Sequence, residues 1–323
     1  MSEYLYDEVP SLDLADFVSG NPESKQKFVE ELGHAYNHIG FVAIKNHGLS
    51  DALVKNLYST IEEFYSLPVS VKEKYEIPEL FGQRGYVGKG KEHAKGRKTG
   101  DLKEFYHVGQ IVEDEDPIKE LYPDNIWPSE IDGFEAVASE AYKTLEATGK
   151  KMLQAIALYL GLEEKYFESR VHNGNSILRP IHYFPIENPD DIPADAVRAA
   201  EHGDINLITL LMGASADGLQ VKRRDGAWIP ITALPDQIVV NVGDMLARLT
   251  NDKLKSTIHR VVNPPRELMK TSRYSIPFFM HPRAEMDLTC LESCVNEQNP
   301  KHYDDMTAGE FLHQRLAEIG LKK

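Results

Sequence analysis

The sequence predicts an α+β fold with a helix-rich first half and a β-rich second half. Three observations predict it: helical spacing of apolar residues up to Leu160, a series of short β-type runs between Ser176 and Pro282, and an ordinary globular composition. Over 323 residues, 41% are hydrophobic and 27% charged, enough apolar material to bury a large core. Lys and Arg total 36 against 51 Asp and Glu, a net charge of −15. That balance argues against generic attraction to nucleic acid or an anionic membrane and favours small-molecule partners, the basic stretch Lys89 to Lys98 being a local exception.

The elements follow in order. Val9 to Leu14 alternates as a short strand; Asn21 before Pro22 reads as a helix cap with a first-turn proline. Phe28, Leu32, Tyr36 and Ile39 then recur at helical steps until Gly40, ahead of the strand-like Phe41 to Ile44. Ser50 opens a second helix with the stripe Leu53, Leu57, Ile61 and Phe64, and Ser70 with Glu73 has capping-box spacing. From Glu79 to Gly109 the chain is rich in Gly and Lys and reads as a long polar loop, the kind retained for function, here as a lid. Phe134 to Leu160 reads as one long amphipathic helix.

The second half changes character. The β-type runs are Ile177 to Tyr183, Ile205 to Leu211, Leu219 to Val221, Trp228 to Ile231, Ile238 to Val242, Thr257 to Val262 and Tyr274 to Met280. Short, evenly spaced strands predict a sandwich or barrel. Thr307 and Glu310 again have capping-box spacing, before a terminal helix. The expected organisation is a mixed region over 1–170, a β core over 171–285 and a helical extension over 286–323. Two cysteines, Cys290 and Cys294, are too few for a disulfide framework and fit a reducing compartment, the cytoplasm by default. The acidic opening MSEYLYDEVP and the lack of any run of about 18 apolar residues give no expectation of export or membrane insertion.

One group among the histidines carries chemistry: His202-Gly203-Asp204 at the entrance to the Ile205 to Leu211 run, and His259. Strand side chains two apart share a face, so imidazole and carboxylate aim at one point, with His259 as a third arm. Two His and one carboxylate on one side of an ion leave its other positions open, the arrangement of non-haem Fe(II) oxygenases rather than of closed zinc sites. Taken alone, the triplet reads better as a surface pair at a strand entrance, with His259 a packed core or edge histidine. Arg273 and Ser275 shift that balance, because they share strand parity and together suit a carboxylate, whereas an arginine buried without an anion is costly.

These residues, with Gly218-Leu-Gln-Val221, Trp228-Ile-Pro-Ile231, Asn241-Val-Gly-Asp244, Thr250-Asn251, Lys255 to Val262 and Arg273-Tyr-Ser275, resemble the isopenicillin N synthase-like family of 2-oxoglutarate/Fe(II)-dependent oxygenases. Asn46-His47-Gly48, Phe64 to Pro68, Gly85-Tyr86 and Asp101 to Glu104 extend the resemblance over residues 8 to 283. It implies a double-stranded β-helix (jelly-roll) core with flanking helices. It also implies Fe(II) on His202, Asp204 and His259, and 2-oxoglutarate chelating the iron with its distal carboxylate on Arg273 and Ser275. The implied reaction consumes dioxygen and releases succinate and CO2, with hydroxylation or desaturation decided by substrate placement.

Many relatives carry a tyrosine immediately before the proline of the strand preceding the triplet, where this chain has Phe184-Pro185; His182 or Tyr183 is expected to take its place toward the cosubstrate. Arg179, Tyr86 and Arg84 are candidate substrate contacts, and Lys103 reads as solvated charge. Trp228 and Phe278-Phe279-Met280 read as core. Two rival readings remain at this level: an Fe(II) oxidase of the same fold that does not use 2-oxoglutarate, and a non-catalytic jelly roll stabilised by metal.

Overall fold

The computed structural model describes residues 5–91, 103–186, 188, 198–212, 218–231, 234 and 236–318. Thirteen strands are present among them: β1 (Ser11–Asp13), β2 (Phe41–Lys45), β3 (Gly85–Val87), β4 (Lys103–Gly109), β5 (Ile177–Leu178), β6 (Ile181–Tyr183), β7 (Ala199–His202), β8 (Ile208–Met212), β9 (Leu219–Lys222), β10 (Trp228–Pro230), β11 (Gln237–Val242), β12 (His259–Val261) and β13 (Arg273–Met280). They form a nine-stranded sheet, β1-β2-β11-β8-β13-β5-β4-β3 with β6 bridging β13 and β4, and a four-stranded sheet, β10-β9-β12-β7. The two sheets are the walls of a double-stranded β-helix, with the helices on the outer side of the larger one.

The helices form where the apolar spacing places them. Pro22–His38 is capped by Asn21, whose Oδ1 accepts from the N–H of Glu23 and Ser24. Asp51–Ser66 is capped by Ser50, and the long helix Phe134–Tyr159 buries Ala138, Ala141, Leu145, Met152 and Ile156 against the large sheet. The box at the C-terminal helix Ala308–Glu318 forms in both directions: Thr307 N–H donates to Glu310 Oε2 at 2.7 Å, and Glu310 N–H to Thr307 Oγ1 at 3.3 Å. The box expected from Ser70 does not form, because the short helix Val69–Lys72 starts directly after Pro68 and holds Ser70 inside it.

The Glu79 to Gly109 segment is not one loop. Gly85–Val87 and Lys103–Gly109 are paired strands of the large sheet, and β4 joins both β5 and β6. Of the rest of the expected lid, residues 79–84 and 88–91 are described and 92–102 lie outside the described residues. Polar flanks hid these strands, although Phe105, His107 and Gly109 alternate with Glu104, Tyr106 and Val108.

That alternation divides two environments. Tyr106, Val108, Ile276, Phe278 and Met280 enter the main core under the helices, while Val87, Phe105, Ile181 and Tyr183 form a separate apolar cluster on the opposite, inner face. Register fixes which residues share a face: Lys103 pairs with Tyr183 and Tyr183 with Arg273, whereas Glu104 pairs with His182 and His182 with Tyr274.

On the outer face Glu104 anchors a fully buried network. Its carboxylate binds Lys72 Nζ at 2.8 and 2.9 Å, His182 Nδ1 at 2.7 Å and the Tyr86 hydroxyl at 2.5 Å, while Lys72 also donates to Tyr65 O at 3.1 Å. Burial alone would raise the Glu104 pKa, but these bonds from His182, Lys72 and Tyr86 hold it below the ordinary carboxylate value. Removing one partner of such a pair leaves the other charge buried, so Glu104→Ala is expected to cost about 3–5 kcal/mol. Denaturant unfolding measures it; a loss below about 1 kcal/mol would show that the network does not hold β4 and β6 to the helices.

Candidate metal and cosubstrate site

His202 is the last residue of β7, and Asp204 lies in the turn that leads to β8. The triplet therefore does not enter a single strand as its parity suggested; the turn brings the carboxylate round to the imidazole. His259 opens β12 and pairs directly with His202 across the small sheet. An added Cβ at Gly203 would stand 3.1 Å from Asp244 Oδ1 and 3.2 Å from Ser256 Oγ, so the turn packs tightly against both side chains. The turn is braced from behind: Asp244 N–H donates to Asp204 O at 2.7 Å, Ser256 Oγ to Asp244 Oδ1 at 2.6 Å, and Arg315 of the terminal helix lies 3.4 Å from Asp244 Oδ2.

One ligand atom from each of His202, Asp204 and His259 lies within 4.8 Å of the others. Asp204 Oδ1 is 4.0 Å from His202 Nε2 and 3.7 Å from His259 Nε2. Each Nδ1 faces a carbonyl, Ala200 O at 2.7 Å and Thr257 O at 3.2 Å, which can only accept. Each Nδ1 therefore carries the proton, and both Nε2 lone pairs face the common centre. Asp204 Oδ2 accepts from Thr209 Oγ1 at 2.7 Å and Asn241 Nδ2 at 2.8 Å, leaving Oδ1 as the inward oxygen. Burial works against the Asp204 carboxylate, yet His259, His202 and these two bonds keep its pKa below the usual value. His202 keeps 47% of its side chain exposed; the protein around it and the neighbouring His259 nevertheless push its pKa down to about 4, so it is a neutral donor near neutrality.

Two neutral nitrogens and one carboxylate oxygen, all approaching from one side, fit an Fe(II) ion with open coordination positions. The second feature is the face carrying Arg273 and Ser275, both 6% exposed. The Arg273 guanidinium lies 4.9 Å from the centre of the Tyr183 ring, and its Nε and Nη1 are buried with no hydrogen-bond partner among the described residues. A buried cation with idle donors fits a bound carboxylate.

The two residues expected to replace the missing tyrosine separate. Tyr183 stands on the Arg273 face. His182 is a correction: it points to the outer face, between Glu104 and Ser272 Oγ at 2.9 Å, stacked on Tyr274 at 4.9 Å. Phe184 follows it there, its ring 4.9 Å from that of His182.

The substrate candidates separate too. Tyr86 is committed to Glu104 on the outer face, and Arg84, 1% exposed, donates to Gln83 O and fills the space over Gly109. Both are corrected to structural positions. Arg179 is on the inner side: its guanidinium lies 4.6 Å from the Phe105 ring centre and 5.1 Å from that of Phe279, and its Nε donates to His107 Nε2 at 2.5 Å. His107 is set up to accept because its Nδ1 donates to Gly82 O at 2.6 Å. Phe279 pairs with Thr209, which donates to Asp204 Oδ2, and this brings the Arg179 group toward that carboxylate. Lys103, read as solvated charge, shares the Arg273 face, and its ammonium acts on His202.

Sequence reasoning assigned no role to Thr209 or Asn241, although Asn241 stands in the Asn241-Val-Gly-Asp244 run; the local signal for each was a polar residue inside an apolar strand, at 209 in ITLLM and 241 in QIVVNV. It also read Phe279 as core, whereas Phe279 pairs with Thr209 on the inner face.

Residues 9–130 match the family described as non-haem dioxygenase in morphine synthesis N-terminal, and residues 174–282 match the 2OG-Fe(II) oxygenase superfamily. Proline hydroxylase buaE of Petromyces alliaceus is 34% identical over 96% of this chain and 99% of its own length. A 2OG-Fe(II) oxygenase family protein from Caulobacter crescentus is 41% identical, with a TM-score of 0.87 over 96% of this chain and 99% of that one. A full-length Neurospora crassa protein, solved in complex with alpha-KG and thymine, is 31% identical, with a TM-score of 0.84 over 96% of each chain.

Because Thr209 and Asn241 orient Asp204, Asn241→Ala is expected to weaken Fe(II) binding about 10- to 100-fold with the fold intact. Anaerobic metal titration with a parallel thermal melt checks this; unchanged affinity would remove Asn241 from the ligand support.

Proposed function

The chain belongs to the 2OG-Fe(II) oxygenase superfamily, and from that premise we propose that it oxidises a small polar molecule seated on its inner face against Arg179, Phe105 and Phe279. It is an Fe(II)- and 2-oxoglutarate-dependent oxygenase; the relative solved with alpha-KG leaves the oxidase reading without 2-oxoglutarate unfavoured. The observation that carries the residue assignment is the inward set of His202 Nε2, His259 Nε2 and Asp204 Oδ1.

The bound Fe(II) supplies, with dioxygen and 2-oxoglutarate, a two-electron oxidation of a substrate C–H bond, the cosubstrate leaving as succinate and CO2. The protein's part is to hold and orient. His202 Nε2, Asp204 Oδ1 and His259 Nε2 would hold the ion. Arg273 and Ser275 would hold the far end of the cosubstrate by charge-assisted hydrogen bonding and so restrict its pose. Arg179, stacked between two rings and oriented by His107, offers donors to a carbonyl or carboxylate, and Phe105 and Phe279 offer flat apolar surface. Hydroxylation or desaturation then depends on which C–H bond this wall turns toward the metal. No helix among the described residues is long and apolar enough to cross a membrane. Two buried free thiols, Cys290 and Cys294, support placement in the reducing cytoplasm.

The test is in two steps. Adding 2-oxoglutarate to the anaerobic Fe(II) protein should produce a weak visible charge-transfer band. Succinate release is then screened with proline and thymine, the molecules named with two of the relatives, followed by other small carbonyl- or carboxylate-bearing compounds. With a substrate in hand, Arg179→Ala should lower kcat/KM about tenfold or more while cosubstrate affinity stays put. A variant with unaltered kcat/KM takes Arg179 out of the substrate site.

A further inference from the structure

We propose that Arg198 is a second cosubstrate-binding guanidinium, sharing the distal carboxylate of 2-oxoglutarate with Arg273; the inference rests on the reading that Arg273 and Ser275 hold that carboxylate. Arg198 stands immediately before β7, and its Nη2 donates to Thr271 O at 3.4 Å, two residues ahead of Arg273. It is 5% exposed and its Nε is buried with no partner among the described residues, the same condition as Nε and Nη1 of Arg273. Burial, and then the Arg273 charge, work against the Arg198 cation. Arg198 is thus tied to the segment that leads into β13, where Arg273 lies over the Tyr183 ring.

Nothing else described compensates that arrangement. No carboxylate among the described residues forms an ion pair with Arg198 or Arg273. The one long bond to a neutral carbonyl does not offset burying a cation beside another. A single carboxylate offers about four acceptor positions, enough for one guanidinium fork, one N–H of the second guanidinium and the Ser275 hydroxyl. A second cation also predicts strong discrimination against a cosubstrate lacking the distal charge.

The experiment compares 2-oxoglutarate with 2-oxopentanoate, in which a methyl group replaces the distal carboxylate. Each is titrated into the anaerobic Fe(II) protein and followed by the visible band, in wild type, Arg198→Met and Arg273→Met. Arg198→Met is expected to weaken 2-oxoglutarate about tenfold or more and to leave 2-oxopentanoate unchanged. Full 2-oxoglutarate affinity in Arg198→Met, or equal weakening of both ligands, overturns the proposal. If Arg273→Met alone loses the preference for 2-oxoglutarate, the parent reading survives without Arg198; if neither variant loses it, the parent reading fails. Should Arg198→Met not fold, Arg198→Gln is read the same way. A wild-type crystal structure with Mn(II) and 2-oxoglutarate decides independently, by whether an Arg198 nitrogen lies about 3 Å from a distal carboxylate oxygen.

Discussion

The two hydrogen bonds that Thr209 and Asn241 place on Asp204 Oδ2 are the constraint on which the site depends. They come from β8 and β11, strands paired in register with each other, so the carboxylate is held by the large sheet while both imidazoles come from the small one. With Oδ2 satisfied, Oδ1 is left facing the two Nε2 atoms. The centre is thus built at the meeting of two sheets, and its geometry is as fixed as their pairing.

The same pleat separates the two polar systems of the protein. Along β13, β6 and β4, one parity carries Arg273, Tyr183 and Lys103 inward, and the other carries Tyr274, His182 and Glu104 outward. The outward group is closed, every oxygen of Glu104 being matched by a donor. The inward group leaves donors idle, at Arg273 and again at Arg198. A closed network binds strands to helices; an open one is fit to bind a ligand. The low-dielectric surroundings that make the closed network stable make the open one costly until an anion arrives.

Much of this was legible before the structure. Helix caps at Asn21, Ser50 and Thr307 and the long helix follow from residue type and spacing, the grouping of His202, Asp204 and His259 rests on the H-x-D spacing together with the family resemblance, and strand parity alone joins Arg273 to Ser275. What could not be read was register between strands distant in sequence. Parity within Ile181–Tyr183 does not say which side faces Arg273, so His182 and Tyr183 stood as equals until pairing separated them. The polar flanks of β3 and β4 disguised them as loop, and with them the inward positions of Phe105 and His107. Arg84 and Tyr86 looked like loop side chains and are buried structural ones, because the segment that carries them belongs to the sheet. His202 and Asp204 converge through a turn rather than along a strand, so the expected convergence is present but its local geometry differs.

Anaerobic Fe(II) titration of the wild type beside Asp204→Ala tests the central claim most directly. A single open-sided centre predicts one tightly bound Fe(II) per chain, lost in Asp204→Ala at an unchanged melting profile in the absence of metal. Retention of one equivalent at wild-type affinity in that variant would contradict the account, because the ion would then be held by other groups.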